Sequence, residues 1–352
     1  MPAADYQPAF PAYCARFNPS VNDIVISTLG AQHNSIAEAR DAGALSKILS
    51  FVKVDCGSDS PKHWDVASVK DARGAYNEIA MVYWDSLSSF EAWKLKSGYQ
   101  AWWDALDPRQ ERHGWFQEIL LPSVDRAETI YSDVNPESTI NGHGHMFESM
   151  SGLIQEHVYW GSMRDRIPLS QTDELLGEPD TSDEQRQKQE EAETNPRQTR
   201  VKVPGKQNLC VIRSGQDWSR TTPAERTLYL TKMHPTLIRG MNYLRDHGAS
   251  TNCHAAHLWQ VLDTQTLDPD TTTDRTFGLA YFSALSDLES WSATHKTHLD
   301  IFHGFLKYAA DLNFQLSLHL YHEVMVLRAD QQVFEYVGCH AGTGMMGALA
   351  DE

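Results

Sequence analysis

The sequence lacks the features that mark several large classes of protein: paired cysteines, long apolar runs and a leader segment. Its five cysteines are scattered, and none falls in a Cys-x-x-Cys or Cys-x-x-Cys-His pattern. The spacing therefore excludes the common zinc modules and covalent attachment of haem. No apolar run approaches the roughly 18 residues that span a bilayer, and residues 1–20 show no charged-then-apolar leader. We expect a cytoplasmic protein with free thiols and no membrane partner.

Positive charge is also scarce. The chain has 30 Lys and Arg against 47 Asp and Glu, a net charge of −17 and a pI near 5.3, which disfavours nucleic acid and anionic membranes as partners. Apolar mass is plentiful: 41% of the 352 residues are hydrophobic, with 10 Trp, 13 Tyr and 12 Phe. This length predicts one large domain or two ordinary ones. The aromatic residues suit a protein that encloses a flat apolar ligand, and they suit the filling of a large core equally well.

The chain contains an internal repeat. Residues 83–93 match residues 281–291, with Tyr, Leu, Ser, Glu and Trp at the same positions, and residues 116–121 match residues 321–326. A weaker match sets the strand ending at Gly30 against the strand ending at Gly215, and three patches in the same order predict a duplicated unit. In each copy the pattern predicts strand, helix, strand, helix and strand.

The middle of the chain divides these copies. Residues 173–193 are crowded with Glu, Asp and Gln, which is typical of a solvated connector. We predict an N-terminal half at 1–169, an acidic connector at 170–206 and a C-terminal half at 207–352. The fold class is α+β, with two ferredoxin-like halves.

Histidines gather late in the sequence, on a helix predicted from Asp287 to about Ala310. Trp291, His295, His298 and Phe302 lie three or four residues apart and so share one helical face. A single histidine on an apolar face is as often a satisfied core residue as a ligand. Two on the same stripe, with no acid on that face, favour a neutral imidazole that binds haem iron.

The repeat suggests which half carries the chemistry. It places Gln100 opposite His298 and Gln117 opposite His322, so imidazoles occur in the second copy where the first has amides. We expect His322 to face the interior from the last predicted strand. His319, three residues earlier, is predicted to point the other way, to the surface or to a partner subunit.

Four segments carry a resemblance to a known family. They are Tyr159–Arg166, Ile212–Trp218, Thr297–Phe302 and Leu320–Val324, with the sequences YWGSMRDR, IRSGQDW, THLDIF and LYHEV. Together and in this order they resemble the aldoxime dehydratases, which include phenylacetaldoxime and aliphatic aldoxime dehydratases. The resemblance covers nearly the whole chain. It implies a homodimeric α+β-barrel-type protein with haem b, ferrous in its active form, and a small aldoxime substrate.

The resemblance also implies roles for particular residues. His298 is the proximal ligand of the haem iron, His322 the distal acid–base group, and Ser214 and Arg166 bind the oxime hydroxyl. Glu128 lines the same site. In the implied mechanism the oxime nitrogen binds ferrous iron and His322, as imidazolium, protonates the departing oxygen and then takes the proton from carbon. An unperturbed pKa of about 6.5 would let one histidine do both.

Other interpretations remain open at this point. A haem peroxidase or chlorite-converting enzyme on a related fold would use the same proximal histidine, and a haem carrier, a gas sensor or a haem-free binding protein would need no catalytic group. Ser214 together with His322 favours oxime chemistry. The run Gly142–His145, with two histidines, has the form of a small metal site, but a flexible loop is the commoner explanation.

Overall fold

The computed structural model describes residues 5–134, 142–178, 194, 199–268 and 270–349. Most of the predicted acidic connector, residues 179–193 and 195–198, lies outside the described residues. The strands are β1 (Ala15–Arg16), β2 (Val25–His33), β3 (His63–Lys70), β4 (Tyr76–Trp84), β5 (Gly114–Leu120), β6 (Ala127–Tyr131), β7 (Ser149–Met150), β8 (Arg200–Val203), β9 (Leu209–Asp217), β10 (Cys253–Leu262), β11 (Thr272–Phe282), β12 (His319–Leu327) and β13 (Gln332–Val337).

The helices lie between the strands along the chain. The α-helices are α1 (Ile36–Ala42), α2 (Ala44–Val52), α3 (Leu87–Lys96), α4 (Tyr99–Ala105), α5 (Ser162–Arg166), α6 (Pro223–Leu228), α7 (His234–Asp246), α8 (Leu285–Thr294) and α9 (Lys296–Asp311). A π-helical turn (Tyr229–Met233) joins α6 to α7. Short 3-10 helices are found at Gly57–Asp59, Val124–Arg126, Gly142–Met146, Leu169–Gln171, Gly248–Thr251, Ala329–Gln331 and Gly344–Leu349. Within the described ranges, none of the helices is long and apolar enough to cross a membrane.

Eleven of the strands form one antiparallel sheet in the order β6-β12-β9-β11-β10-β3-β4-β2-β5-β13-β8. The first half contributes β3-β4-β2-β5 and the second half β10-β11-β9-β12, so the spatial order within the two copies is the same. Each copy has four strands, not the three predicted, because β3 and β10 had no clear strand pattern. The two halves meet where β10 pairs with β3, through Gln260 opposite Ser68 and Val261 opposite Ala67.

The halves also exchange strands. β6, which follows β5 in the chain, pairs with β12, and β13, which follows β12, pairs with β5. Residues near opposite ends of the sheet, among them Met325 of β12 and Phe334 of β13, share one buried core with Val203 of β8. The sheet is therefore curled around an interior, and the helices of each half pack on its outer face.

Helix ends follow local capping chemistry. The side chains of Ser35 and Thr222 accept backbone N–H bonds at the starts of α1 and α6. The cap of α3 is Ser86, whose hydroxyl accepts the N–H of Ser89 (3.2 Å). Helices α1 and α2 are separated by Gly43 in the left-handed region (φ 62°).

The prediction of one long helix from Asp287 to Ala310 is wrong. It is divided into α8 and α9 at His295, whose backbone is extended (ψ 132°). The ring of His295 caps α9, since its Nδ1 accepts the N–H of Thr297 (3.3 Å). The ring of His295 is therefore a helix cap and does not belong to the apolar face that carries His298.

Candidate active site

A cavity of about 620 Å³ lies between the outer face of the second-half sheet and helices α7, α8 and α9. Its walls are mostly apolar and include Leu237, Met241, Ile301, Phe302 and Phe305. Two further segments, around residues 10–12 and from residue 157 into the start of α5, complete the lining. An apolar cavity with a few convergent polar groups is the usual form of a small-molecule site.

Two polar groups on the sheet side, His322 and Ser214, lie in one row of four residues across four strands. His322 of β12 is opposite both Ile130 of β6 and Ser214 of β9, and Ser214 is opposite Gly278 of β11. All four residues line the cavity. Because neighbouring positions in register point to the same face, His322 and Ser214 present their side chains side by side.

His298, the third residue of α9, lines the cavity from the helix side. Its ring lies 4.8 Å from that of Trp291 and 6.1 Å from that of Trp160, measured between ring centroids. Burial lowers the pKa of His298 to about 4, although the Ser292 backbone carbonyl opposes this. Its Nδ1 is buried and has no hydrogen-bond partner within the described part of the chain. A neutral imidazole with an unused buried nitrogen is suited to serve as a metal ligand.

The environment of His322 differs from the sequence expectation. Burial lowers its pKa to about 4, and the positive charge of Arg166 and the nearby rings of His298 and His157 act in the same direction. The unperturbed pKa near 6.5 assumed from the sequence is therefore wrong. In the cavity as described, the imidazole of His322 is neutral at pH 7.

Arg166 and Glu128 form a buried ion pair beside this row. Arg166 Nε and Nη2 donate to the two carboxylate oxygens of Glu128, both at 2.8 Å, and Nη1 donates to the carbonyl of Glu156 at 2.6 Å. Only 5% of the Arg166 side chain and 1% of the Glu128 side chain are exposed. Burial acts to lower the pKa of Arg166, but the Glu128 carboxylate outweighs it and the pKa is raised. Arg166 lines the cavity, whereas Glu128 lies behind it and contacts the site through Arg166.

Two polar residues of the cavity were not singled out from the sequence. Gln216 lines it next to Ser214, and the spacing of two residues on a strand could have placed them on one face. His157 lines it from an irregular segment, with its Nε2–H donating to the carbonyl of Phe10 (2.6 Å). The sequence around His157 has no periodic pattern that could have indicated this residue.

Other histidines lie elsewhere. His319 is buried, not exposed as predicted, and shares a hydrogen bond with the hydroxyl of Ser132 (3.2 Å), because the face of β12 opposite to His322 points into the curled sheet. The run Gly142–His145, expected to be a flexible loop, belongs to a 3-10 helix that buries His143 near Glu323. In the described residues no group of three or more His, Cys, Asp or Glu side chains could hold a bare metal ion.

The first half has no counterpart of this cavity at the matching position. Gln117, which corresponds to His322, is buried and accepts a hydrogen bond from Tyr99 (3.0 Å) while its amide donates to Glu335 (3.0 Å). Aromatic side chains including Trp84, Trp93, Trp103 and Phe90 fill the space between sheet and helices there. Gln100, which corresponds to His298, bonds to Asp104 at the exposed face of α4. Among the residues that the structure describes, only those of the second copy therefore enclose a site at this place.

The fold and the imidazole-bearing cavity define a class of protein. The sequence model of the haem-containing dehydratases matches residues 27–345, so the chain belongs to that family. Among its relatives, the aliphatic aldoxime dehydratase of Rhodococcus erythropolis is 35% identical over 350 residues, covering 97% of this chain and 91% of the relative. That of Pseudomonas chlororaphis is 36% identical, with 97% and 92% covered. The phenylacetaldoxime dehydratase of a Bacillus strain is 29% identical over 97% of this chain and 92% of its own.

A solved structure agrees with these relatives. The crystal structure of an aldoxime dehydratase in complex with butyraldoxime superposes with a TM-score of 0.85 at 34% identity, covering 97% of this chain and 90% of the other. The resemblance predicted from the four sequence segments is confirmed. So is the assignment to the haem-dependent dehydratases, which are lyases.

Proposed function

We propose that this protein removes water from aldoximes to leave nitriles, using haem b that His298 holds without a covalent link. The observation that carries the proposal is that one apolar cavity has His298 on its helix wall and His322, Ser214 and Arg166 together on the sheet side. The relatives named above act on aldoximes. This chain has all four of the side chains that the proposed reaction uses.

The residues present fit a haem. The cavity is large and apolar, the rings of Trp291 and Trp160 flank His298, and Nδ1 of His298 has no other use among the described residues. Neutral imidazole in apolar surroundings is the usual proximal ligand of haem iron. When bound, a ferrous haem supplies an iron centre that can hold the oxime nitrogen and polarise the N–O bond.

Ser214 and Arg166 bind the oxime hydroxyl in this proposal. Arg166 has five N–H donors, and its three bonds to Glu128 and Glu156 leave two for the cavity. The Glu128 carboxylate fixes the guanidinium in place, so the positive charge needs no reorganisation as negative charge grows on the leaving oxygen.

His322 moves the proton. Because the imidazole is neutral in the cavity as described, it must first take up a proton from solvent, and negative charge developing on the oxime oxygen favours this protonated form. The imidazolium gives its proton to that oxygen as the N–O bond breaks, and water leaves. The neutral ring then accepts the proton from the oxime carbon as the C≡N bond forms, which restores the imidazolium for the next turnover. Acid–base catalysis of this kind contributes about 10²–10⁴-fold to a rate.

The distal groups speak against peroxide chemistry. An imidazole, His322, and a hydroxyl, Ser214, lie side by side in the cavity, which suits proton transfer to and from an oxime. The relatives named above are aldoxime dehydratases, and this also favours dehydration over the peroxidase interpretation.

We also propose the finer points of the architecture. The two halves, 1–169 and 207–352, are ferredoxin-like units, and their identical strand order supports this. The protein is a homodimer in this proposal, and it is cytoplasmic, since its five buried cysteines form no disulfide with one another, as is usual in a reducing compartment. Light scattering of the purified protein would test the dimer by its mass.

One experiment tests the function. The haem-loaded protein is reduced with dithionite under anaerobic conditions and given butyraldoxime or phenylacetaldoxime, and nitrile is measured by gas chromatography. We expect nitrile from at least one substrate, and a rate lower by at least about 10²-fold in the His322→Ala variant at matched haem content. Haem-loaded protein that turns over peroxide but forms no nitrile would refute the proposal.

A further inference from the structure

The amide of Gln216 lies beside the hydroxyl of Ser214 in the cavity. Its Nε2 donates to the backbone carbonyl of Ser214 (2.9 Å) and to the Ser214 Oγ (3.3 Å). Its Oε1 accepts from the hydroxyl of Thr276 (2.9 Å), which stands directly opposite Gln216 on β11. Gln216 and Thr276 are only 6% and 4% exposed.

These contacts fix the direction of every hydrogen bond in the set. A backbone carbonyl can only accept, so the amide atom facing the Ser214 carbonyl must be the NH₂ group. The oxygen of the amide therefore faces Thr276, whose hydroxyl must donate. The second hydrogen of the NH₂ group is directed to Ser214 Oγ, which accepts it.

The consequence falls on Ser214. A serine hydroxyl has one proton to donate and two lone pairs. Because Gln216 donates to one lone pair, the Ser214 proton must point away from Gln216, and the cavity that Ser214 lines is open to it. A donated bond to Oγ also polarises the hydroxyl and makes it a better donor.

We propose that Gln216, held by Thr276, is a positioning residue that keeps the Ser214 hydroxyl aimed as a donor at the oxygen of the substrate's hydroxyl group. This rests on the proposed aldoxime dehydration and adds to it a residue that does not itself receive or deliver the proton. A buried amide on the face of a sheet is costly unless its hydrogen bonds are made. Here both the NH₂ group and the oxygen of the amide are hydrogen-bonded within one triad, Thr276–Gln216–Ser214.

Two substitutions of Gln216 distinguish the effect of its shape from the effect of the direction of its hydrogen bond to Ser214. Gln216→Met keeps much of the volume and removes the donor, and we expect kcat to fall by about 10–100-fold, the usual effect of losing an orienting partner. Gln216→Glu keeps the shape and replaces the donor by an acceptor. The Ser214 proton should then turn towards the carboxylate, and kcat should fall further, by about 10²–10³-fold, as when a transition-state donor is removed. In both variants KM should change little.

Thr276→Val gives an independent test outside the cavity lining. It removes the hydroxyl that holds Oε1 at nearly constant volume, so the amide gains freedom and kcat should fall less than in Gln216→Met. Gln32→Met is the matched control. Gln32 is also 6% exposed and bonds through its amide to Asn77 and Thr343, but it belongs to the first half and does not line the cavity.

The readouts are kcat and KM for butyraldoxime, the Soret spectrum and haem content, and the thermal midpoint. Support requires a lower kcat at unchanged KM and Soret spectrum in the Gln216 variants, with Gln32→Met like the unchanged protein apart from stability. If the unchanged protein forms no nitrile, the proposed function itself has failed. If it is active and the Gln216 variants stay within about twofold of Gln32→Met, or lose kcat only in proportion to lost haem, this inference alone is overturned.

Discussion

Replacing Glu128 by Gln should destabilise the protein far more than an exposed substitution of the same kind. The change leaves one oxygen to accept from Arg166 and sets an NH₂ group against the other guanidinium N–H. One charge-assisted hydrogen bond of 2.8 Å is lost, which is worth about 1.5–3 kcal/mol. In addition, a guanidinium that is only 5% exposed loses its counter-charge. Removing one partner of a buried pair typically costs about 3–5 kcal/mol, and we expect a value near the lower end because one bond remains.

The chain offers a matched control in Glu289→Gln. Glu289 also binds an arginine through two nitrogens, Arg164 Nε (3.2 Å) and Nη2 (2.8 Å). There the side chains are 27% and 19% exposed, for arginine and glutamate respectively, so water can replace the lost contact. An ion pair of this kind contributes below about 1 kcal/mol.

Urea unfolding of the haem-free variants at pH 7 measures both costs. Equal losses of unfolding free energy in the two variants would refute the argument that burial makes the Glu128 pair the more important one. The haem-loaded forms add a second comparison. Glu128→Gln should also lower kcat, since Arg166 lines the cavity, while Glu289→Gln should not.

Three further outcomes are expected. His298→Ala should lose both bound haem and the Soret band. His295→Ala, which removes a helix cap, should keep both and lose about 1 kcal/mol of stability. Equal haem loss in the two variants would show that His298 is not the ligand. His322→Ala should lower kcat by at least about 10²-fold. His319→Ala, on the opposite face of β12, should mainly lower the urea midpoint. The reverse pattern would make His319 the acid–base group. Burial lowers the pKa of His257 to about 4, below its unfolded value of about 6.5, so the unfolded chain takes up the proton first and stability is lost as the pH falls from about 6.5 to 4. His257→Gln should therefore show a smaller drop in urea midpoint between pH 7 and pH 5 than the unchanged protein, and an equal drop would contradict the assignment.

The sequence predicted the repeat and the strands with strong apolar patterns, but not β3 and β10. Both of these strands carry polar or small residues at buried positions. Asp65 of β3, for example, is 3% exposed and lies within salt-bridge distance of Arg213 and Arg275 of the second half. Partners that come from the other half of the chain leave no local pattern. The same reasoning applies to the break at His295, where a histidine takes the capping role that Ser or Asp usually fills.

The residues of the site could be named from the sequence, but their electrostatic state could not. The resemblance to the aldoxime dehydratases indicated His298, His322, Ser214 and Arg166, and the structure brings all four to one cavity. The lowered pKa of His322 depends on how deeply β12 is covered, which is a property of the tertiary structure. His157 lies in an irregular segment whose position is fixed by contacts with the N-terminal residues.

Alternation along two neighbouring strands explains how the site keeps its geometry. Ser214 and His322 stand opposite each other on the cavity face, and the residues directly before and after them, Arg213 and Glu323, stand opposite each other on the interior face. Both interior charges are buried, with Arg213 Nη1 3.7 Å from Glu323 Oε2 and Arg213 Nη2 3.4 Å from Asp65. A slip of one residue between β9 and β12 would carry one of these two charges into the apolar cavity and separate it from the other, which costs several kcal/mol for each unpaired ion. The interior charges thus oppose any register in which the hydroxyl and the imidazole no longer meet.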